Sequence, residues 1–315
     1  MADPAPSEPA SSAPEAASKK ASSDAFVRNT LARLATAAVG IPILLWMLYW
    51  APWWVFPAFC LLAIVRASHE LLRMILTGMP VLYGWGLFAS ITLASSCLAA
   101  LLVGTNLPEH AELLRAIGAT PLRTSLLLVG AFMLVTAGSV LLPLLHPEPN
   151  DRAGLRLAWL VAGPMYVGVL LAAVPGLFLV SDGTWVVLAM ALAWGSDTGA
   201  YFAGRFFGRR KLAPAISPAK TVEGAIGGLL ASIFFAVIGS SFFLSDLPVL
   251  HAVLLAIVAN VLGQSGDLAE SLIKRSTGVK DSGAILPGHG GLLDRIDALM
   301  FTAVACLLYR VLVAS

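Results

Sequence analysis

The residues in this sequence best suited to chemistry are carboxylates, ammonium and guanidinium groups placed beside long apolar runs. Asp267, Glu270, Ser271 and Lys274 fall at helical offsets of 0, 3, 4 and 7, so one helix would carry them as a single polar stripe. After a glycine-rich loop come His289, Gly290 and Gly291, then Asp294, Arg295 and Asp297, the two aspartates three apart on one helical face. Carboxylates from two helix ends beside basic residues suit a hard divalent cation, which takes oxygen ligands and shares them with substrate phosphates. A Mg2+ site for phosphoryl chemistry is the expectation. The alternative is a structural salt-bridge network of Asp267, Lys274, Arg275, Asp294 and Arg295, which the cost of charge within a membrane disfavours.

Two further groups lie upstream. Trp194, Asp197, Tyr201 and Arg205 share a helical face; the Trp, Tyr and Arg also fit an interfacial belt, whereas Asp197 needs a partner or a ligand. In the run from Lys211 to Gly224, Ser217 followed by Pro218 resembles an N-cap and a first helical residue. Lys220 would then sit in the first turn of a helix beginning there, with Glu223 close by, and the free N–H groups of that turn would suit a phosphate. For Arg209, Arg210 and Lys211 taken individually, a solvated basic loop is the simpler reading. His289 could act as a general base, or its flanking glycines could make a tight turn against a ligand. No GxxxxGK[ST] loop, hydrolase elbow or zinc-spaced His/Cys cluster is present.

The elements that must position these residues are membrane spans. With 58% hydrophobic and only 12% charged residues, the composition excludes an ordinary water-soluble globule. A net charge of +2 is too small to argue for nucleic acid as a partner. Apolar runs near 34–50, 53–75, 81–103, 124–145, 157–180, 184–204, 224–244, 249–268 and 296–314 predict an all-α, polytopic bundle of about nine transmembrane helices. The fifth, interrupted by Gly163, Pro164, Pro175 and Gly176, is expected to be bent or split. Residues 1–25, rich in Ala, Ser, Pro and Glu, read as a disordered cytoplasmic tail, 26–180 as N-terminal transmembrane helices, and 181–315 as a C-terminal catalytic region. With a cytoplasmic N-terminus, all but Arg115, Arg123 and Arg310 of the 20 basic residues fall on the inner side, as the positive-inside rule requires. Both charged loops then face the cytoplasm. Cys60, Cys97 and Cys306 lie apart in apolar runs and read as small buried hydrophobes. No internal repeat supports an inverted-repeat transporter.

The run Ser271-Leu-Ile-Lys274-Arg275, then Lys280-Asp281, Gly283, Leu286-Pro287, His289-Gly290-Gly291-Leu292 and Asp294-Arg295-Ile296-Asp297 resembles the signature of the phosphatidate cytidylyltransferase, or CDP-diglyceride synthase, family. The runs around Asp197 and from Ser217 to Gly224 are similar to that family as well, so the likeness covers about residues 190–300 by motif. It implies a polytopic helical enzyme that uses CTP and phosphatidate as substrates, requires Mg2+, works in the inner (cytoplasmic) membrane with its site facing the cytoplasm, and is compatible with a homodimer. It further implies that Asp267 and Asp294 belong to the metal centre. Lys274, Arg295 and Asp297 join them as expected catalytic residues. Asp197, Ser217, Lys220, Glu223, Ser271, Arg275, Lys280, His289, Gly290 and Gly291 are expected to bind substrate. A CTP-using lipid-alcohol kinase would share such a nucleotide site, and a transporter would explain many spans with intramembrane carboxylates. Against the transporter, the polar groups crowd one face rather than the midplane.

Overall fold

A computed structural model describes residues 38–104, 116, 118–145, 152–283, 285 and 290–313. The expected tail at 1–25 and His289 lie outside the described residues. Nine helices run through the described residues: α1 (Ala38–Tyr49), α2 (Val55–Ile75), α3 (Pro80–Gly104), α4 (Pro121–Leu141), α5 (Ala153–Val180), α6 (Gly183–Phe207), α7 (Val222–Phe242), α8 (Val249–Ser276) and α9 (Leu293–Leu312). Their order and bounds match the nine expected spans to within a few residues, except that α8 continues past 268 and carries the polar stripe with it. Seven of them, α2 to α8, are long and apolar enough to cross a membrane. The described part of α1 is shorter, and α9 carries Asp294, Arg295, Asp297 and Arg310 among its apolar residues. The chain is an integral membrane protein.

Local sequence explains several helix starts. Thr120 caps α4 by accepting the Arg123 N–H, with Pro121 at the first helical position. Asp182 caps α6 through the N–H groups of Thr184 and Trp185. In α5 the ring of Pro164 is followed by one wide π turn over Met165–Val169, so the interrupted fifth run stays a single helix instead of splitting. The expected helix start at Ser217 is not found. Residues Ser217–Thr221 form strand β2, antiparallel to β1 (Lys211–Ala213), and α7 begins only at Val222, capped by Thr221 Oγ1 accepting the Gly224 N–H at 3.1 Å. Proline lacks an N–H and has a φ that suits either setting, so Ser-Pro alone could not decide; the facing Lys211–Ala213 segment supplied a strand partner. Lys220 therefore projects from a hairpin, not from a helical turn.

One continuous core joins the two halves of the chain, running from Met47, Ile64 and Leu71 through Leu177, Trp185 and Leu192 to Met300 and Cys306. Cys60 and Cys306 are buried within it and Cys97 is partly buried, all three as free thiols. The outer surface is apolar, with Leu62, Leu126, Met133, Leu230 and Phe242 exposed, as a lipid-facing bundle requires. Since lipid removes the hydrophobic drive between helices, close backbone packing and interhelical hydrogen bonds must hold them together. The α6–α7 pair shows the first device. A Cβ added to Gly199 would lie 2.7 Å from the Gly227 carbonyl oxygen. The second device appears where Trp85 Nε1–H donates to Ser139 Oγ, which donates in turn to the Leu160 carbonyl.

The bundle has two chemically different ends. At one, Arg310 pairs with Asp246 at 2.6 Å and His251 bonds Tyr309, which also stacks on Trp185. At the other end the hairpin, the C-terminal end of α8 and the N-terminal end of α9 gather with the last turns of α2. A test of the packing follows from the glycines. Gly199→Ala should lower the thermal stability of the detergent-solubilised protein by about 1–3 kcal/mol through overpacking. Gly130→Ala, where a Cβ meets nothing within 4 Å, should leave it unchanged or slightly raised. Tryptophan fluorescence during heating would separate the two.

Candidate active site

The polar stripe of α8 meets the first turn of α9 through one lysine. Lys274 Nζ donates to Glu270 Oε2 at 3.0 Å and to Asp294 Oδ1 at 2.6 Å. All three side chains are shielded, with exposures of 12% for Lys274, 1% for Glu270 and 6% for Asp294. Asp294 Oδ2 accepts the Gly291 N–H at 2.8 Å and the Ser282 N–H at 2.9 Å, and lies 3.0 Å from Ser282 Oγ. These contacts crowd Oδ2, whereas Oδ1 carries the bond from Lys274. Gly290, with a φ of +77°, turns the chain into this arrangement; few other residues would hold that conformation.

Asp267, one turn earlier on α8, is more accessible. Its Oδ2 pairs with Lys220 Nζ from the hairpin at 2.5 Å, with exposures of 29% and 25%. Asp297 is buried at 7% exposure, and its Oδ1 accepts the N–H of Ala298. Asp197 stands on α6 in the electrostatic neighbourhood of Asp267, Lys220 and Arg295. The carboxylates of Glu270 and Asp297 are close enough to share a proton, and among the described residues Glu270 Oε1 is buried with no other hydrogen-bond partner. Two neighbouring carboxylates with an orphaned oxygen call for a cation or a proton between them. The donor set is therefore suited to a hard cation. Among the described residues, however, no three acidic, His or Cys side chains converge into a complete cage, so further ligands would have to come from substrate or water.

The remaining expected residues divide between this centre and its supports. Glu223 accepts the backbone N–H groups of Arg209 and Arg210 at 3.0 to 3.3 Å, so its carboxylate anchors the entry to the hairpin. Arg275 Nε donates to the Ile216 carbonyl and ties α8 to the hairpin turn. Ser217 opens β2, partly buried, and Ser271 is partly buried on α8 one turn beyond Asp267. Lys280 is exposed just after α8. Trp194 Nε1–H donates to the Arg295 carbonyl at 3.3 Å, linking α6 to α9. Tyr201 is 61% exposed and packs edge-on against Phe202, in keeping with an interfacial belt.

Two sets of residues belong here that no motif singled out. Asn260 Nδ2 donates to Ser196 Oγ and Ser232 Oγ, and Gln264 Nε2 donates to Asn260 Oδ1 and the Ala225 carbonyl. With Asp197, Gly263 and Thr302 they line a pocket beneath the charged centre. The other is Glu70 of α2. It is only 2% exposed and accepts the N–H groups of Leu292 and Leu293 at the start of α9. The signals were present in the sequence as Asn260 and Gln264, and as Arg66 and Glu70, each pair four apart in an apolar run, where polar residues are costly unless partnered.

This fold and site define a polytopic helical membrane protein with a carboxylate and ammonium centre at one end. The family model of the cytidylyltransferase family matches residues 31–313, and the chain belongs to that family. It is similar to the phosphatidate cytidylyltransferase of Staphylococcus haemolyticus, at 49% identity over 122 residues, 38% of this chain and 47% of that protein. Similarity to the Bacillus subtilis protein of the same name is 47% over 118 residues, covering 38% and 44% of the two chains. To that of Haemophilus influenzae it is 44% over 128 residues, covering 39% and 42%. The match thus spans somewhat less than half the length of these relatives.

The burial of the two ion pairs leads to unequal expectations. Lys274→Met strands Glu270 and Asp294 without their counter-charge and should cost about 3–5 kcal/mol of stability. Lys220→Met breaks a partly exposed pair and should cost about 1 kcal/mol or less. Thermal unfolding of both variants in one detergent would check the contrast.

Proposed function

We propose that the protein is a membrane cytidylyltransferase that converts CTP and phosphatidate to CDP-diacylglycerol and pyrophosphate, a step of phospholipid biosynthesis. The observation that carries this reading is the meeting of Asp197, Asp267, Glu270, Asp294 and Asp297 with Lys220 and Lys274 at one end of the bundle, in a chain of the cytidylyltransferase family. The basic residues crowded at that end support placing it at the cytoplasmic face of the inner membrane, where CTP is available.

In the proposed reaction an oxygen of the lipid phosphate attacks the α-phosphorus of CTP in line. A new P–O bond forms there, the bond from the α-phosphorus to the bridging oxygen breaks, and its electron pair leaves with pyrophosphate. The lipid phosphate is already anionic at neutral pH, so no strong general base is required. The barrier is the approach of two anions, and alignment with charge neutralisation lowers it. Lys220, Lys274, Arg275, Lys280 and Arg295 would supply that positive charge. Lys220 and Lys274 are held by Asp267 and by Glu270 with Asp294, respectively, and would exchange these carboxylates for phosphate oxygens when substrates enter. Asp267 and Asp294, with Asp297 adjacent, would then be released to hold Mg2+. The ion would neutralise phosphate oxygens and polarise the phosphorus under attack. The Gly291 N–H already serves Asp294, and Gly290, at positive φ and without a Cβ, would leave room for the nucleotide to approach the turn closely.

Purified protein given phosphatidate, Mg2+ and CTP labelled in the cytosine ring should place the label in the lipid extract. Labelled γ-phosphate in the lipid instead would identify a lipid kinase and overturn the reading. Asp294→Asn and Asp267→Asn should each lower product formation by about 100-fold or more while the protein stays membrane-inserted. Full activity in Asp294→Asn would remove Asp294 from the proposed metal site.

A further inference from the structure

Glu70 lies more than 200 residues in sequence from Ser282, Leu292 and Leu293, yet its carboxylate is bonded to all three. Oε1 accepts the Leu292 N–H at 3.1 Å and pairs with Arg66 at 3.0 Å. Oε2 accepts the Leu293 N–H at 2.9 Å and lies 3.1 Å from Ser282 Oγ. Leu292 and Leu293 are the N-cap and first residue of α9, and Leu292 has no side-chain oxygen with which to cap it. A carboxylate from another helix therefore does what an N-cap does locally, and its charge favours the positive end of the α9 dipole.

The contact reaches Asp294 by two routes. Leu293 immediately precedes Asp294, so Glu70 fixes the backbone from which that side chain projects. Ser282 Oγ also lies within hydrogen-bond distance of both Glu70 Oε2 and Asp294 Oδ2, and its single hydrogen must be shared between the two carboxylates. The loop packs so closely here that a Cβ on Gly291 would stand 2.6 Å from Glu70 Oε2, and one on Gly283 would stand 2.8 Å from Glu70 Oε1. The glycines let the chain close over the acid.

We infer that Glu70 is a positioning residue for the reaction: it caps α9 from outside and, with Ser282, fixes the direction of Asp294. The amino-terminal helices thereby contribute a working part of the site, rather than only completing the bundle. The inference rests on the cytidylyltransferase reading for the step it serves, but the geometry can be tested without turnover.

The test compares Glu70→Gln and Ser282→Ala with the full-length wild type, each reconstituted in phospholipid vesicles. Gln keeps the shape of Glu but replaces one accepting oxygen with an N–H donor facing other donors. Amide hydrogen exchange should be about tenfold faster or more in peptides covering residues 290–297 of Glu70→Gln, with the remaining helices unchanged. In turnover, the Mg2+ concentration for half-maximal rate should rise about tenfold in Glu70→Gln and in the same direction, by less, in Ser282→Ala. A role in stability alone would reduce the amount of active protein and leave that concentration where it was. Unchanged exchange at 290–297, or an unchanged Mg2+ requirement, overturns the inference. If exchange rises throughout Glu70→Gln, Ser282→Ala decides: a raised Mg2+ requirement supports the inference and an unchanged one overturns it. If wild-type protein joins no cytidine to lipid, the cytidylyltransferase reading falls, while the exchange result still decides whether Glu70 fixes the start of α9.

Discussion

Lys274 holds Glu270 and Asp294 together where water scarcely reaches, and a charge withdrawn from water is tolerable only beside its opposite. This requirement orders the whole charged end of the bundle. It fixes the end of α8 against the beginning of α9, brings Ser282 and Gly291 onto Asp294, and makes the small side chains at Gly283, Gly290 and Gly291 necessary. The second pair, Lys220 with Asp267, applies the same rule under partial exposure and draws the hairpin onto α8. In both pairs the lysine occupies the position that an incoming cation would otherwise take. The carboxylates are thus neutralised by the ammonium groups.

The length of α8 determines where this happens. At about 1.5 Å per residue, 28 residues extend about 42 Å, well beyond a hydrocarbon layer of about 30 Å. With the apolar first part of the helix across such a layer, the turns carrying Asp267, Glu270 and Lys274 would emerge at headgroup depth. A lipid phosphate at that depth could meet a nucleotide from water while its acyl chains remained among other lipids. Below, the Asn260 and Gln264 network satisfies its own polar groups within the apolar interior and joins α6, α7 and α8.

Much of this was legible in the sequence because hydrocarbon leaves so few choices. Nine apolar runs became nine helices among the described residues. The stripe from Asp267 to Lys274 was legible for the same reason, since its helical spacing survives any detail of packing. What escaped was of two kinds. Ser217 and Pro218 suggested a helix start because proline suits both a first turn and a strand lacking one hydrogen bond, and only the distant pairing segment settled the matter. Glu70, Asn260 and Ser282 escaped because each is a single polar residue whose meaning lies in partners from other helices. Spacing along one helix reveals stripes, not pairs that meet across the bundle.

The cap on α9 also bears on how the molecule comes into being. Glu70 belongs to α2 and its amide partners to the start of α9, 222 and 223 residues later in the chain. Until α9 arrives, Arg66, one turn away on the same helix, is the counter-charge available to a carboxylate already committed to the membrane. Docking of α9 would give that waiting acid its amide partners and set the backbone that carries Asp294 in one event. Synthesis of α9, maturation of the bundle and assembly of the charged constellation would thereby be tied together, and a chain stopped before α9 would keep its early helices without the constellation they help to hold.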